Sequence, residues 1–185
     1  YVMYNRIFYE NIQFLKKNLS KISSVVVKFT DKSKKNALVN SIHIFSIIYY
    51  LFGNIKIQYS QKKRNSINMV LTTKEGFSIF VIYNNNFPET FSIDIRTNKT
   101  RYLLKPLEKL QIIKKLNFKY KNRNKKMLIP SEKVEKTLDL YRSNSFKPGF
   151  YEQMKYIDNQ LKKGNKFGNF NFAIRVMEIA KHLVR

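Results

Sequence analysis

Residues 36–53 read NALVNSIHIFSIIYYLFG and carry the clearest helix signal in the sequence. Large apolar side chains recur there at spacings of three and four, at Leu38, Ile42, Phe45 and Phe52. This spacing places them on one face of a helix, and that face would pack against a core. Gly53 follows at once and suits the left-handed residue with which many helices end. The stretch therefore predicts an amphipathic helix that ends at Phe52.

Strand signals flank this helix on both sides. Before it, three β-branched valines in the stretch 21–29 predict a buried strand. After it, apolar and polar residues alternate in three runs: Ile55, Ile57 and Tyr59; Ile67, Met69 and Leu71; Phe77, Ile79, Val81 and Tyr83. Alternation of this kind is typical of strands with one buried face. The short link 74–76 predicts a hairpin between the last two runs, and residues 91–95 predict one more strand.

Helical spacing returns elsewhere in the chain. We predict helices over residues 4–19, 103–116, 131–141, 150–161 and 171–184. The fold class expected is α/β (α+β), with a small, mainly antiparallel sheet, helices on one face and an α-helical C-terminal extension. A shift in composition near residue 100 predicts an α/β domain over 1–100 and a basic, mainly helical extension over 101–185.

The charge balance is the dominant feature of the composition. The 185 residues include 36 Lys and Arg but only 12 Asp and Glu, for a net charge of +24. Such an excess makes a compact chain repel itself, and a polyanionic partner is its usual explanation. Each cation placed on a phosphate also releases a condensed counterion, which favours binding. The composition therefore predicts a protein that binds nucleic acid.

Other function classes find little support in the residues. The sequence has no cysteine and two histidines, which excludes a disulfide framework and a Cys/His zinc site. No glycine-rich phosphate loop is present, and we predict no cofactor and no metal. The most apolar run, 42–52, is about half the length that crosses a bilayer. The first 18 residues lack the pattern of a signal peptide.

Two groups of residues could be catalytic, but a structural role is preferred for both. His43 lies inside an apolar helix, where a local hydrogen bond is the interpretation favoured. Glu89 and Asp94 form a possible metal-binding pair with Arg96 nearby. In so basic a chain a carboxylate is more often an ion-pair partner than a metal ligand. We therefore predict no enzymatic activity and no catalytic residue.

Clusters of basic residues are the preferred candidate sites. Lys neutralises a phosphate as a point charge, and Arg grips it with two donors. Neighbouring aromatic residues such as Phe118 and Tyr120 could stack on bases, although packing is the preferred role for these two. The candidate RNA-binding residues are Lys62, Lys63, Arg64, Asn65, Lys74, Lys119, Lys121, Arg123, Lys125 and Lys126.

The order of elements over residues 21–83 resembles the large-subunit ribosomal protein L-five family, which contacts 5S RNA. Residues 21–29 look like the first strand of that family. The helix that ends in Phe52-Gly53, with a strand after it, is similar to the family's helix, glycine and strand. Residues 62–69 look like its basic loop and second strand, and 71–76 like its charged turn. The resemblance implies that Lys62, Lys63 and Arg64 contact RNA.

These observations predict a structural constituent of a mitochondrial ribosome, in the large subunit. Its partners would be ribosomal RNA and neighbouring ribosomal proteins, with no small-molecule substrate and no membrane span. The mitochondrial location is inferred from a residue usage rich in Lys, Asn, Ile, Phe and Tyr, which is typical of AT-rich genomes. Two alternatives stay open: a metal-dependent nucleic-acid enzyme, and a basic accessory subunit of an organellar membrane complex.

Overall fold

Eight strands form one sheet in this computed structural model, which describes residues 4–31, 40–85, 88–122, 125–143, 147–164 and 170–183. The strands are β1 Ile22–Asp31, β2 Ile55–Lys62, β3 Ser66–Thr73, β4 Ser78–Asn85, β5 Ser92–Thr97, β6 Arg101–Leu104, β7 Lys109–Asn122 and β8 Lys125–Asp139. Their order across the sheet is β2-β3-β4-β1-β5-β6-β7-β8. The sheet is thus larger than predicted, but the mixed α/β class with a mainly antiparallel sheet is confirmed.

The helices described are α1 Glu10–Asn18, α2 Ile42–Phe52, α3 Leu140–Ser143, α4 Phe150–Lys162 and α5 Phe170–Ala180. Short 3-10 helices cover Asn5–Phe8 and Lys181–Leu183. The predicted N-terminal helix is therefore interrupted at Tyr9, whose extended backbone separates the first 3-10 helix from α1. The predicted end of α2 is confirmed, because Gly53 has φ +72° and donates its N–H to the Tyr49 carbonyl at 2.9 Å.

One strand pair differs from all the others in the described sheet. β1 and β4 run parallel, with Val25 opposite Ile79, whereas the remaining six pairs are antiparallel. Parallel neighbours need a crossover connection. Here the crossover contains α2 and the β2–β3 hairpin. α2 is the first described helix after β1 in the chain.

The core lies between the sheet and its helices. Alternate residues of the central strands are buried, as the period-two pattern predicts: Val25, Val27 and Phe29 on β1; Ile67, Met69 and Leu71 on β3; Ile79, Val81 and Tyr83 on β4. They form one cluster with α1, α2 and α5, through residues such as Leu15, Phe45 and Val176. One face of the sheet is thereby covered by helices.

The structure corrects the secondary structure predicted for residues 103–141. The segment predicted as a helix over 103–116 forms the end of β6, a turn at Pro106 and the first part of β7. The helix predicted from Ser131 is β8 up to Asp139. Within the basic run predicted to be a loop, residues 119–122 belong to β7 and residues 125–126 to β8. Hydrogen bonds between strands outweigh local helix propensity in this region.

The two C-terminal helices are confirmed as α4 and α5. Residue 100 lies between β5 and β6, which pair with each other in the one sheet. The division of the chain into two domains at this position stays a prediction. Within the described ranges, no helix is long and apolar enough to cross a membrane.

Candidate active-site cavity

A cavity of about 580 Å³ lies where the first 3-10 helix, the start of α2 and the turn before α4 meet. Its volume is within the range of small-molecule sites in proteins. Most of the side chains that line it are polar or charged, and they come from segments far apart in sequence. The fold therefore assembles a polar hollow beside an apolar core.

His43 lines this cavity from the first turn of α2. Its Nδ1 atom is buried and has no hydrogen-bond partner among the described residues. Burial, together with the positive charges of Arg6 and Lys147, lowers the pKa of His43 to about 4. The imidazole is therefore neutral at pH 7, and a neutral ring has one nitrogen free to accept a proton.

A buried carboxylate fixes the start of α2. Asp31, at the end of β1 and only 5% exposed, accepts a hydrogen bond from the hydroxyl of Ser41 and another from Asn40. Burial raises the pKa of Asp31, although these two hydrogen bonds and the charge of Arg6 act to lower it. Since Ser41 is two residues before His43, this contact ties the imidazole to the sheet.

Two tyrosines surround the one carboxylate among the cavity residues. The Tyr9 hydroxyl donates to Oε1 of Glu108 at 3.5 Å, and the Tyr141 hydroxyl also hydrogen-bonds this side chain. Burial raises the pKa of Tyr9 to about 12, and the negative charge of Glu108 contributes to the same shift. The Tyr9 hydroxyl therefore stays protonated and acts as a donor, and Glu108 is already engaged as an acceptor.

Arg6 enters the cavity from the first 3-10 helix. Its guanidinium carbon lies 5.3 Å from the centroid of the Phe91 ring, a cation–π distance. The Nη1 atom is buried without a hydrogen-bond partner in the described ranges. A buried donor of this kind costs free energy unless something pairs with it.

The turn before α4 closes the cavity by close packing. Pro148 is buried and its carbonyl accepts a bond from Nδ2 of Asn5 at 3.5 Å. Gly149 has φ +81°, and a Cβ there would lie 2.8 Å from Cδ1 of Tyr9 and closer still to the Asn5 carbonyl oxygen. Only glycine fits this backbone without strain. The turn and the first 3-10 helix therefore form one wall.

The predicted RNA-binding residues lie elsewhere. Lys62 to Asn65 are exposed at the β2–β3 turn, and Lys74 is exposed in the β3–β4 turn at the opposite end of β3. Lys119 and Lys121 belong to β7, and Lys125 and Lys126 to β8, whereas Arg123 is outside the described residues. β2 and β8 are opposite edges of the sheet, roughly 34 Å apart at about 4.8 Å per strand. The structure does not bring these residues together, and their contact with phosphate stays a prediction.

Asp94, one of the two carboxylates considered as metal ligands, forms ion pairs with arginines. Asp94 accepts two bonds from Arg101, at 3.0 Å from Nε and 2.9 Å from Nη2, and lies 3.5 Å from Arg96. Arg101 also pairs with Glu132. Across the part of the chain that the structure describes, no three acidic, His or Cys side chains are grouped to hold a metal. Asp94 is an ion-pair partner.

Sequence reasoning missed the cavity. The hydrogen bond expected for His43 is not found for its Nδ1 atom among the described residues. The sequence does contain a signal for the site. A single histidine lies in an otherwise apolar helix, and an Asn-Arg pair lies at residues 5–6. What the sequence could not indicate is that the fold places these residues and Glu108 around one space.

The chain is similar to known proteins in structure and not in sequence. No family model and no curated protein matches the sequence. Solved structures do: a dehydrogenase from Clostridium difficile has a TM-score of 0.70 at 14% identity, over 98% of this chain and 60% of that one. UDP-N-acetylglucosamine 3-dehydrogenase from Acidithiobacillus ferrooxidans gives 0.64 at 11%, over 97% and 58%. An oxidoreductase from Agrobacterium radiobacter, solved with NAD+, L-tartaric acid and magnesium, gives 0.61 at 12%, over 97% and 60%.

These likenesses overturn the ribosomal interpretation. The positive charge and the resemblance to the L-five family predict a structural constituent of a ribosome. That prediction, with ribosomal RNA as partner, no small-molecule substrate and no enzymatic activity, is wrong. The similar structures are instead oxidoreductases of the Gfo/Idh/MocA type. The mitochondrial location stays a prediction. The chain spans about 60% of the length of these structures, and its fold is one that dehydrogenases use.

Proposed function

We propose that this chain is the substrate-binding part of a dehydrogenase-type oxidoreductase, and that the cavity beside α2 holds the substrate. The observation that carries the proposal is the neutral imidazole of His43, which lines a polar cavity and whose buried Nδ1 has no partner among the described residues. The likeness to dehydrogenases over nearly the whole chain supports it.

His43 is the group suited to receive a proton. Oxidation of an alcohol to a carbonyl releases a hydride and a proton. The hydride would go to a hydride-accepting cofactor bound outside the described residues, and a neutral imidazole within reach of the hydroxyl can accept the proton. Tyr9 stays protonated, since its pKa is raised to about 12, and supplies a hydrogen-bond donor in the same space. Asp31 positions His43 indirectly, because it accepts a hydrogen bond from Ser41 and so holds the start of α2.

A dinucleotide does not fit the described residues. Its usual cradle is a glycine-rich loop, G-x-G-x-x-G, between a strand and a helix of a parallel sheet. The five glycines of this sequence stand at positions 53, 76, 149, 164 and 168, so that spacing does not occur. One strand pair of the described sheet is parallel. We therefore assign no step to a nicotinamide cofactor on this chain.

The two histidines provide a direct test. In the imidazole 15N spectrum, His43→Gln identifies the His43 signals and leaves those of His182 as an internal reference. A set of small polyols and hydroxy acids is then titrated into the wild-type protein. We expect at least one compound to shift the His43 signals and not those of His182, and to bind at least tenfold more weakly to His43→Gln. If no compound perturbs His43 at millimolar concentration, the proposal is wrong.

A further inference from the structure

The cavity faces its ligand with more positive than negative charge. Arg6 and Lys147 both line it, and Glu108 is the one carboxylate among the lining residues that the structure describes. Glu108 is occupied by the hydroxyls of Tyr9 and Tyr141. Among the described residues neither cation forms an ion pair with Glu108, although the charge of Arg6 also acts on the buried Asp31. Positive charge is therefore available to a bound molecule.

Arg6 is the better placed of the two cations. The Phe91 ring supports its guanidinium group at 5.3 Å, which limits the positions that the group can adopt. Its Nη1 donor is buried and unpaired among the described residues, so the protein itself leaves this guanidinium group short of a partner. A planar guanidinium presents paired donors that match the two oxygens of a carboxylate. This side chain is therefore preorganised for an anion rather than for solvent.

Lys147 marks the open side of the same space. It is exposed, and its ammonium group lies 5.2 Å from the ring of Phe150, which also lines the cavity. Both cations act on His43, because each lowers its pKa. Arg6, Lys147 and His43 also line the same cavity, so one ligand bound there faces all three.

Building on the proposed function, we infer that the substrate is a hydroxy acid, whose carboxylate is bound by Arg6 with Lys147 at the rim and whose hydroxyl faces His43. The bound carboxylate pairs with the guanidinium group of Arg6, which lines the cavity. It also offsets the charge of the two cations beside the imidazole, which makes His43 a stronger proton acceptor when the substrate is present.

Matched ligand pairs test this inference. Each pair differs in having a carboxylate in place of a hydroxymethyl group: D-gluconate and sorbitol, L-threonate and threitol, L-lactate and propane-1,2-diol. We expect at least one acid to bind the wild-type chain at least tenfold more tightly than its neutral counterpart, and to raise the pKa of His43 from about 4 toward its ordinary value. The neutral compounds should leave that pKa unchanged.

Variants locate the preference. Arg6→Gln should reduce the preference for the acid at least tenfold, and the exposed Lys147→Gln, which keeps the wall intact, about threefold. The double variant Lys62→Gln, Lys63→Gln removes the same kind of charge at the distant β2–β3 turn and should keep the full preference. The circular dichroism spectrum of each variant reports whether it is folded; if Arg6→Gln is not, Lys147→Gln decides alone.

The outcomes separate the inference from the function beneath it. Equal binding of acid and neutral compound, with the His43 signals shifted by both, overturns the inference and leaves the proposed function standing. A preference that survives Arg6→Gln and Lys147→Gln, or disappears in the Lys62/Lys63 variant, also overturns it. Failure of every compound to perturb His43 removes both.

Discussion

The cavity beside α2 and the turn between β2 and β3 are both positively charged, but they hold their charges in different ways. At the turn, Lys62, Lys63 and Arg64 are exposed to water at a sheet edge. In the cavity, Arg6 is fixed on an aromatic ring and has a buried donor without a partner in the described residues. An exposed charge is stabilised by solvent whatever its function, whereas a buried unpaired donor costs free energy until something pairs with it. Burial therefore indicates a site more sharply than charge density does.

The largest expected effect comes from filling the wall of the cavity. Gly149→Ala places a Cβ against Tyr9 and the Asn5 carbonyl oxygen, at φ +81°. We expect the free energy of unfolding to fall by about 3 kcal/mol, from overpacking together with a left-handed backbone. Urea denaturation measures this change. Gly164→Ala is the matched control, since it has φ +63° but nothing within 4 Å of the new Cβ, and should cost about 1 kcal/mol. Equal losses would mean that the wall is not tightly packed.

A smaller effect is expected where α2 is tied to β1. Ser41→Ala removes the hydroxyl that donates to the buried carboxylate of Asp31. Leaving that acceptor short of a partner should lower the free energy of unfolding by about 2 kcal/mol. The control is Ser23→Ala, which removes an exposed bond of 3.1 Å to Asn98 and should change stability by no more than about 0.5 kcal/mol. A Ser41→Ala protein as stable as the control would show that Asp31 does not hold the helix.

The third prediction concerns pH. The pKa of His43 is about 4 in the folded chain against an ordinary 6.5, so between these values the unfolded chain binds a proton that the folded chain does not. The stability that His43 contributes is complete above pH 6.5 and is lost as the pH falls toward 4. Between pH 7 and pH 4.5, wild type should therefore lose more stability than His43→Gln. The raised pKa of Asp31 acts in the opposite sense but is common to both proteins. Parallel stability curves would contradict the lowered pKa.

The smallest effect is expected at the basic turn. The triple variant Lys62→Gln, Lys63→Gln, Arg64→Gln removes three exposed charges. Its free energy of unfolding should lie within about 0.5 kcal/mol of wild type, and its His43 signals should be unchanged. Thermal unfolding and the imidazole spectrum measure both. A shift of those signals would show that the turn and the cavity are coupled, which would weaken the contrast between them.

The elements that the sequence predicts well are those whose pattern is set by a single buried face. Val25 to Val27 on β1, the alternation on β3 and β4, and the end of α2 at Gly53 all belong to this class. Residues 103–116 do not, because Leu103, Leu110 and Ile113 satisfy helical spacing as well as a turn between two strands. Only the pairing of β7 with β6 and β8 decides between them, and that pairing is a non-local property.

The cavity was unpredictable for a related reason. Its residues come from positions 5 to 150, and no short motif links them. Net charge favours the exposed lysines as candidate sites, although their number reflects composition. It does not distinguish Arg6, which is one arginine among 36 basic residues. The value of Arg6 lies in what surrounds it, and the surroundings exist only in the folded chain.

The parallel pairing of β1 with β4 has a consequence for how the chain reaches this structure. β1 is a central strand, yet both of its neighbours, β4 and β5, come much later in the sequence. During synthesis the valine-rich strand and the apolar helix α2 emerge well before residues 78–97 can cover them. Non-local pairing of this kind slows folding, and an uncovered apolar strand is prone to associate with other chains. The nascent chain therefore passes through an aggregation-prone interval that ends when β4 docks, and its yield on expression should depend on chaperones.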